Sequence, residues 1–341
     1  MKHFILSLIL LITFGYCFAG EITVHDIYGR TVILPDKVER TIALGTGALR
    51  FMVYAGVQDT LVGREKWDVS VATTLRPFIF ALPEDFEALP VISQGGRGSL
   101  PDTAAIIMAE ADVIFTVGYS IEQMDYISNA THIPVVGLSY GEEGHTELEK
   151  VKESLRLLGY VTGSQRHTQD IMNNMAMMRK DLISRTENAP SKAVRMISET
   201  HHEGSEKPVC RLLNISDILA HNAEELLSGD PEYIFIDVMG YKWLSSGYKK
   251  IYPALSKVKA VRNGKVYSVM PCTYSNIENI YITAYFMGKI LYPDRFADVN
   301  LEDKADDIYN LFLGINPYPD IMKRGRVYKK AVFTKEGISF R

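Results

Sequence analysis

The chain is poor in cysteine and tryptophan, with three and two residues of each among 341. It also lacks blocks of charge, because 37 basic and 41 acidic side chains are mixed along the chain and give a net charge of −4. A nucleic-acid surface is typically a basic stripe, and a disordered tail is often a long run of one charge sign, so the sequence favours neither. We therefore expect no nucleic-acid partner. With 47% hydrophobic and 23% charged residues, the composition is that of a soluble globular protein with enough apolar material for two lobes.

Three catalytic motifs are also missing: the P-loop, His-Glu-x-x-His and Gly-x-Ser-x-Gly. Gly45-x-Gly47 resembles the start of a dinucleotide-binding turn, but Arg50 stands where the third glycine belongs and no acidic ribose partner is evident. We therefore expect a protein that is not an enzyme; an exported enzyme on a Rossmann-like scaffold is the rival class. No set of His, Cys or carboxylate residues has the close spacing of a bare-metal site, so neither a metal cage nor a cofactor is expected. A binder of free zinc or manganese is a further alternative.

The N-terminus differs from the rest of the chain. Lys2 and His3 precede the apolar run Phe4–Phe14, which is too short for the roughly 20 residues that a membrane-spanning helix needs. A basic start, a short apolar core and small residues near Ala19 predict a signal peptide over residues 1–19, and hence a periplasmic protein. Lipid attachment at Cys17 is the alternative, which the bulky Tyr16 before it disfavours. No later segment is long and apolar enough to span a membrane.

Cleavage there leaves two cysteines, Cys210 and Cys272. In an oxidising compartment they could form a disulfide, and two buried thiols are the alternative. Their separation in the sequence does not decide between the two.

Apolar strands alternate with helices in both halves of the chain. A β-hairpin is predicted over Ile22–Leu34. Strands are predicted at Thr41–Leu44, Thr60–Gly63, Asp112–Val117, Pro134–Leu138, Ala193–Ser198, Tyr233–Val238 and Lys265–Met270. Helices are predicted at Ala48–Ala55, Pro101–Glu110, Ile121–His132, Ala223–Leu227, Asn276–Leu291 and Glu302–Leu313. Continuous apolar strands between helices indicate mostly parallel sheets covered on both faces.

Between these halves, Ser164–Arg185 contains neither glycine nor proline, which predicts one unbroken helix of roughly 30 Å at 1.5 Å per residue. The expected organisation is an N-terminal α/β lobe over 22–143, a helical linker over 144–188 that includes this interlobe helix, and a C-terminal α/β lobe with terminal helices over 189–341. The tail from Pro317 is expected to be peripheral.

An internal echo supports two similar lobes. Ala111–Tyr119 and Pro231–Tyr241 each follow a helix and end in a Gly-Tyr pair. The predicted fold class is therefore α/β, with two Rossmann-like lobes joined by a single long backbone helix. Because ligands of open α/β sheets bind beyond the carboxyl ends of the strands, the cleft is expected between the lobes.

Several segments, in this order and spacing, carry a resemblance to a known family. They are Asp26–Val32, Val38–Leu44, Leu61–Gly63, Arg76–Phe78, Leu89–Ile92, Gly95–Gly98, Ala111–Phe115, Asn263–Tyr267 and Ala284–Pro293. The chain resembles the helical-backbone (class III) solute-binding proteins of ABC importers, which bind iron-siderophores, haem or cobalamin. The resemblance implies a monomer that captures an iron chelate and delivers it to the permease and ATPase of an importer. Haem, cobalamin and a nickel complex are the alternative ligands.

The resemblance also implies a docking role for acidic residues early in one helix of each lobe. Glu224 holds that position in the C-lobe. In the N-lobe the same offset falls on Ala104, with Asp102 nearby. The stretch from Val194 to Asn222 is shorter than is usual in the family, which leaves the shape of that side of the cleft open.

An anionic chelate needs cationic and aromatic side chains in the cleft. Gly45-Thr46-Gly47 permits close approach of the backbone, and Arg50 lies one turn further along. Arg97 stands among three glycines, and Glu65, Lys66 and Trp67 follow a strand end. The remaining candidate ligand-binding residues are Arg76, Tyr119, Tyr241, Trp243 and Tyr274.

His201 and His202 follow the first strand of the second lobe, where imidazole could fill an open position on iron or nickel. The alternative is a solvated pair in a polar loop.

Overall fold

A computed structural model describes residues 20–69, 76–96, 99–142, 146–192, 194–197, 207–215, 219–220, 223–271 and 276–341. The predicted signal peptide with Cys17 lies outside these residues. So do five other positions named above: Arg97, His201, His202, Cys272 and Tyr274. Cys210 is buried with its Sγ 3.9 Å from Met196 Sδ, and both alternatives for Cys210 and Cys272, a disulfide or two thiols, stay open.

Two parallel sheets, each flanked by helices, follow one another along the chain. The predicted α/β class with mostly parallel sheets is confirmed. Among the described residues, no helix is both long enough and apolar enough to cross a bilayer.

The N-terminal lobe begins with the predicted hairpin. Its strands are β1 (Glu21–His25), β2 (Thr31–Pro35), β3 (Thr41–Leu44), β4 (Arg64–Glu65), β5 (Val91–Ser93), β6 (Val113–Val117) and β7 (Val135–Leu138), and its helices are α1 (Ala48–Tyr54), α2 (Thr103–Met108) and α3 (Ile121–Thr131). Strands β3, β6 and β7 form a parallel sheet in that order, and β4 pairs in parallel with β5. The strand expected at Thr60–Gly63 is a single bridge from Leu61 to Thr41, and the regular pairing starts only at Arg64.

Polar side chains fix the ends of these elements. Asp26 accepts hydrogen bonds from the backbone N–H groups of Tyr28, Arg30 and Gly137, which ties the hairpin turn to β7. Ser120 and Gln123 form a reciprocal capping box at the start of α3, which satisfies two backbone groups that the helix itself cannot pair. These local contacts therefore stabilise the hairpin turn and the start of α3 next to the parallel sheet.

Two helices, α4 (Leu148–Thr162) and α5 (Gln165–Thr186), connect the lobes. The prediction of one unbroken interlobe helix is confirmed, and its 22 residues span about 33 Å. Helices α4 and α5 approach closely, because a Cβ on Gly159 would lie 2.2 Å from Thr168 Oγ1. Met175 and Met178 of α5 are buried, so this face of the helix is a packing surface.

The C-terminal lobe carries a second parallel sheet. Its strands are β8 (Val194–Ile197), β9 (Leu219–Ala220), β10 (Tyr233–Ile236), β11 (Val266–Ser268), β12 (Ala331–Phe333) and β13 (Ile338–Phe340), and its helices are α6 (Lys207–Leu212), α7 (Ala223–Leu227), α8 (Val238–Leu255), α9 (Lys259–Arg262), α10 (Ile277–Leu291), α11 (Leu301–Leu313) and α12 (Tyr318–Arg324). The parallel order is β11-β10-β8-β9, while β12 and β13 form an antiparallel hairpin.

Two expectations for this lobe were wrong. The strand predicted over Tyr233–Val238 ends at Ile236, because Asp237 accepts a hydrogen bond from the Gly240 N–H and starts α8 at once. Tyr241 and Trp243 therefore lie on a helix and not in a loop. The tail from Pro317 is not peripheral either, since Tyr318 and Ile321 are buried and Lys330 bridges to Tyr267 of β11.

A buried polar contact joins the N-lobe to α10. The Tyr54 hydroxyl, on the last residue of α1, donates to Glu278 Oε2 and accepts from the Ile277 N–H at 3.0 Å. All three residues are fully buried. Burial raises the pKa of Glu278, and the nearby Arg50 lowers it in part. One hydroxyl therefore satisfies two polar groups that water cannot reach.

Removal of this hydroxyl tests the contact. We expect Tyr54→Phe to lower the free energy of unfolding by about 1–3 kcal/mol, because a carboxyl oxygen and an N–H lose their partner in a dry site. Urea denaturation of the mature protein measures the loss. Tyr160→Phe is the matched control, since Tyr160 is 51% exposed. Equal stability of the two variants would contradict the assignment.

Candidate functional site

A pocket lies at the carboxyl edge of the N-lobe sheet, where β3, β4 and β5 end. We call it the N-lobe pocket. Its lining residues are Gly45, Thr46, Gly47, Arg50, Glu65, Trp67, Asp68 and Arg76. Its free volume is about 20 Å³, on the order of one water molecule, with the rim open to solvent. The carboxyl edge is where ligands of open α/β sheets bind.

Only glycine fits at two positions of the first loop. Gly45 and Gly47 have φ of +86° and +101°, in the left-handed region. A Cβ on Gly45 would lie 2.1 Å from the Val117 carbonyl oxygen, and one on Gly47 would lie 2.7 Å from the ring of Tyr140. The loop therefore sits directly against β6 and brings its backbone to the pocket wall.

Arg50 is the unusual residue of this pocket, because its side chain is 1% exposed. Its guanidinium carbon lies 4.9 Å from the centre of the Phe78 ring and 5.5 Å from that of Tyr140. Its Nε and Nη1 atoms have no hydrogen-bond partner among the described residues. Burial by itself lowers the pKa of Arg50, but Tyr140, Tyr54 and Glu278 outweigh it and the pKa is raised. The pocket thus holds a permanent positive charge with unused donors.

Arg76 adds a second positive charge. Its Nη1 donates to the carbonyl oxygens of Trp67 and Asp68 at 3.3 and 3.1 Å, and its Nη2 lies 3.5 Å from Asp68 Oδ1. Its guanidinium also stacks over Phe78, 4.9 Å from the ring centre. These contacts fix the 66–69 turn beneath the pocket.

Two buried carboxyl groups face these cations. Burial raises the pKa of Asp68 to about 6, although Arg76 opposes the shift. Burial, and then the charge of Asp68, raise the pKa of Glu65 to about 7, against hydrogen bonds from the Gly45 N–H and the Ser93 hydroxyl. The pocket therefore contains two guanidinium groups and two carboxyl groups whose pKa values lie above the usual range for Asp and Glu.

The structure brings six of the predicted ligand-binding residues to this pocket: Gly45, Thr46, Gly47, Arg50, Trp67 and Arg76. Lys66 is exposed beside it and Tyr119 lies behind it, where its hydroxyl donates to the Ser99 carbonyl oxygen at 2.7 Å. Arg97 and Tyr274 lie outside the described residues. These roles in binding stay predictions.

Sequence reasoning missed Asp68 and Tyr140, and it identified Glu65 only as a residue after a strand end, whereas the structure buries it. An acidic residue just after an apolar strand was a weak signal for Asp68. For Tyr140 there was no signal, because it reaches the pocket only through tertiary packing, with its hydroxyl donating to the Gly47 carbonyl oxygen at 3.0 Å.

A second pocket, of about 300 Å³, lies at the carboxyl edge of the C-lobe sheet. We call it the C-lobe pocket. Its lining residues are Ile236, Asp237, Val238, Tyr241, Ser268, Met270, Ile321, Arg324, Gly325, Arg326, Val327 and Phe340. Arg326 Nη1 donates to the Tyr241 hydroxyl at 2.7 Å, and the guanidinium carbon lies 5.3 Å from the centre of that ring. Trp243 does not line this pocket and packs against the apolar core of the lobe.

No cluster of three or more His, Cys, Asp or Glu residues that could hold a metal ion occurs within the described ranges. His201 and His202 lie outside them, so their metal role stays a prediction.

The two residues predicted to dock with the importer are both exposed. Glu224 lies in the first turn of α7. Asp102 caps α2, and its carboxylate accepts from the N–H groups of Ala104 and Ala105 at 3.0 and 3.1 Å. Part of the Asp102 carboxylate therefore already accepts hydrogen bonds from the start of α2.

Comparison with known proteins identifies the fold. No family model matches the chain. Molybdate-binding protein MolA of Haemophilus influenzae is 21% identical in an alignment that covers 91% of this chain and 96% of MolA. The structure of MolA bound to molybdate superposes with a TM-score of 0.66 at 18% identity, over 86% of this chain and 98% of that one.

Two further structures have the same fold. A periplasmic solute binding protein of Veillonella parvula superposes with a TM-score of 0.69 at 17% identity, covering 89% of this chain and 96% of its own. Helicobacter pylori CeuE, in a nickel–histidine complex, gives 0.60 at 16% identity, covering 89% and 99%. MolA and the Veillonella parvula protein are both named as binding proteins. The chain has the fold of the class III periplasmic solute-binding proteins, the family that its sequence resembles.

Proposed function

We propose that the protein is an extracytoplasmic solute-binding protein that captures an anionic metal compound, an iron chelate by first preference, and delivers it to an ABC importer. Export would follow from the signal peptide predicted over residues 1–19. The relatives support the class of ligand, since one is named for molybdate and another is described with nickel and histidine. The preference for iron comes from the resemblance of the sequence.

The observation that carries the proposal is the buried Arg50. A guanidinium group that is 1% exposed, with two nitrogen atoms lacking a partner among the described residues, is a costly arrangement unless something else pairs with it. Oxygen atoms of an anion match the planar fork of arginine, and charge-assisted hydrogen bonds are roughly twice as strong as neutral ones. Arg76 and the Gly45–Gly47 backbone line the same pocket.

The C-lobe pocket supports a ligand larger than a simple ion. It occupies the carboxyl edge of the second sheet, as the N-lobe pocket does in the first. With about 300 Å³, the Tyr241 ring and the Arg324 and Arg326 guanidinium groups, it offers both apolar and cationic surface to the organic part of a chelate. Two pockets at corresponding edges suit a ligand held between two lobes.

A molybdate-like oxyanion is the second candidate ligand. The relative named for molybdate favours it, and so does the buried Arg50, whose Nε and Nη1 have no hydrogen-bond partner among the described residues.

Tryptophan fluorescence tests the ligand directly, because Trp67 lines the N-lobe pocket and Trp243 is the only other tryptophan in the chain. The mature protein is titrated with ferric hydroxamate and catecholate chelates, molybdate, nickel–histidine, haem and cobalamin. We expect a saturable response to one anionic compound, and loss of most of it in Trp67→Phe. A response to none of these compounds, together with turnover of a substrate, would favour an enzyme.

Replacement of Arg50 by lysine tests the role of its fork. We expect Arg50→Lys to weaken binding of the anion by roughly 10- to 100-fold, since lysine keeps the charge but not the planar pair of donors. The retained charge should keep the fold intact beside the buried Glu278. Isothermal titration calorimetry measures the affinity, with exposed Arg156→Lys as the control. An unchanged affinity in Arg50→Lys would place the ligand elsewhere.

Reversing the charge of Glu224 tests delivery to the importer separately from ligand binding. We expect Glu224→Lys to lower ligand uptake by cells several-fold while the affinity of the purified protein stays the same. The resemblance implies that this glutamate meets arginines of the importer, and a lysine there would be repelled by them. Asp170→Lys, on the exposed side of α5, serves as the control. Full uptake by the Glu224 variant would remove this residue from the docking surface.

A further inference from the structure

The carboxyl group of Glu65 lies in the N-lobe pocket, where its ionised form would repel an anion. Glu65 is 2% exposed and lines the same pocket as Arg50 and Arg76. Its Oε1 atom has no hydrogen-bond partner among the described residues. The carboxyl accepts from the Gly45 N–H and the Ser93 hydroxyl, and Ser93 Oγ in turn accepts from the Gly95 N–H at 2.9 Å. Hydrogen bonds thus hold the carboxyl group in place, while its Oε1 atom has no partner among the described residues.

The groups around Glu65 decide its charge. From its own turn comes Asp68, whose Oδ2 accepts from the Glu65 N–H at 3.2 Å. From the start of the segment after residue 75 comes Arg76, which lies against Asp68. From β5 comes Ser93, from the first loop comes Gly45, and from the end of β6 comes Tyr119, whose hydroxyl interacts with the Glu65 charge. Among these groups the cation is Arg76, and its Nη2 lies 3.5 Å from Asp68 Oδ1.

Asp68 is the better stabilised of the two carboxylates. Its oxygens face Arg76 and the Glu65 N–H, whereas the charge of Asp68 raises the pKa of Glu65 by more than the charge of Arg76 lowers it. Burial and this like charge raise the pKa of Glu65 to about 7, near the pH at which such a protein works. An anion placed against Arg50 adds a further negative charge to the same pocket, so it favours the neutral acid still more.

We propose that Glu65 binds the ligand as a neutral carboxylic acid, so that capture of the anion takes up one proton and Glu65 Oε1 donates a hydrogen bond to it. This inference deepens the proposed function and rests on it. The proton removes the repulsion between carboxylate and anion, and it converts an unpaired acceptor into a donor. The pocket then presents donors from Arg50 and Glu65 together with the backbone of the glycine loop, which suits a ligand rich in acceptor oxygens.

The proposal fixes the direction of the pH dependence. Binding is fully developed below the pKa of Glu65 in the empty protein, and it weakens as the pH rises through that value. The weakening approaches about tenfold per pH unit, as expected for one coupled proton. The opposite role, an ionised Glu65 that accepts a hydrogen bond from a ligand N–H or O–H, would make binding stronger as the pH rises.

Molybdate is a suitable probe, along with whichever ferric chelate the mature protein binds. Calorimetric titrations between about pH 5.5 and 8.5, in buffers with different heats of ionisation, give both the affinity and the number of protons taken up. For the unmodified protein we expect up to one proton taken up and an affinity that falls above about pH 7. The exposed Glu84→Gln should behave in the same way.

Glu65→Gln separates this role from a structural one. Its amide can donate at every pH, so we expect the fall in affinity above about pH 7 and the proton uptake there to disappear, and the affinity at about pH 8.5 to exceed that of the unmodified protein. Any dependence left near pH 6 belongs to Asp68. A variant with a merely damaged pocket would bind more weakly at all pH values. Binding that is independent of pH in the unmodified protein, or that strengthens as the pH rises, overturns this inference alone. Absence of anion binding at every pH overturns the proposed function as well.

Discussion

The burial of one positive charge organises the N-lobe. Removing an ion from water is expensive, and the cost is met here by aromatic rings, by nearby acceptors and by the ligand that we propose. Arg50 lies between Phe78 and Tyr140, and Glu278 of α10 contributes to its charge balance. Because Tyr54 connects Glu278 to α1, the same set of contacts forms the pocket floor and the junction with α10. The proposed anion site and the contact between α1 and α10 are therefore parts of one buried network.

The backbone around this charge is equally constrained. Gly45 and Gly47 adopt conformations that L side chains rarely adopt, and both lie against neighbouring atoms at distances that exclude a Cβ. Parallel strands end together at this edge, so residues distant in the sequence, such as Arg50 and Arg76, meet there. A charged side chain that is fixed by packing loses little conformational entropy when it binds a ligand.

Local sequence patterns predicted much of the fold. The hairpin of β1 and β2, the strands β3, β6 and β7 and the unbroken helix α5 follow from apolar periodicity and from the positions of glycine and proline, which act over a few residues. The glycine loop could be identified for the same reason. The start of α8 could not, because one capping contact from Asp237 outweighed an apolar run that continued to Val238. The tail was also misjudged, since its packing depends on partners far away in the sequence.

The chemistry of the pocket was the least predictable part. That Glu65 is buried, and that Tyr140 stacks over Arg50, depends on how β4, β7 and the first loop come together, and no local pattern records it. Residue types pointed to an anion, whereas the protonation of the carboxyls emerges only from their tertiary surroundings.

A crystal structure of the mature protein grown with molybdate would test the central claim most directly, because molybdenum can be located by its anomalous scattering. The account predicts a molybdenum peak in the N-lobe pocket, with oxygen atoms within hydrogen-bond distance of Arg50 Nε and Nη1. An ordered peak elsewhere, with the Arg50 guanidinium still lacking a partner at these atoms, would contradict it.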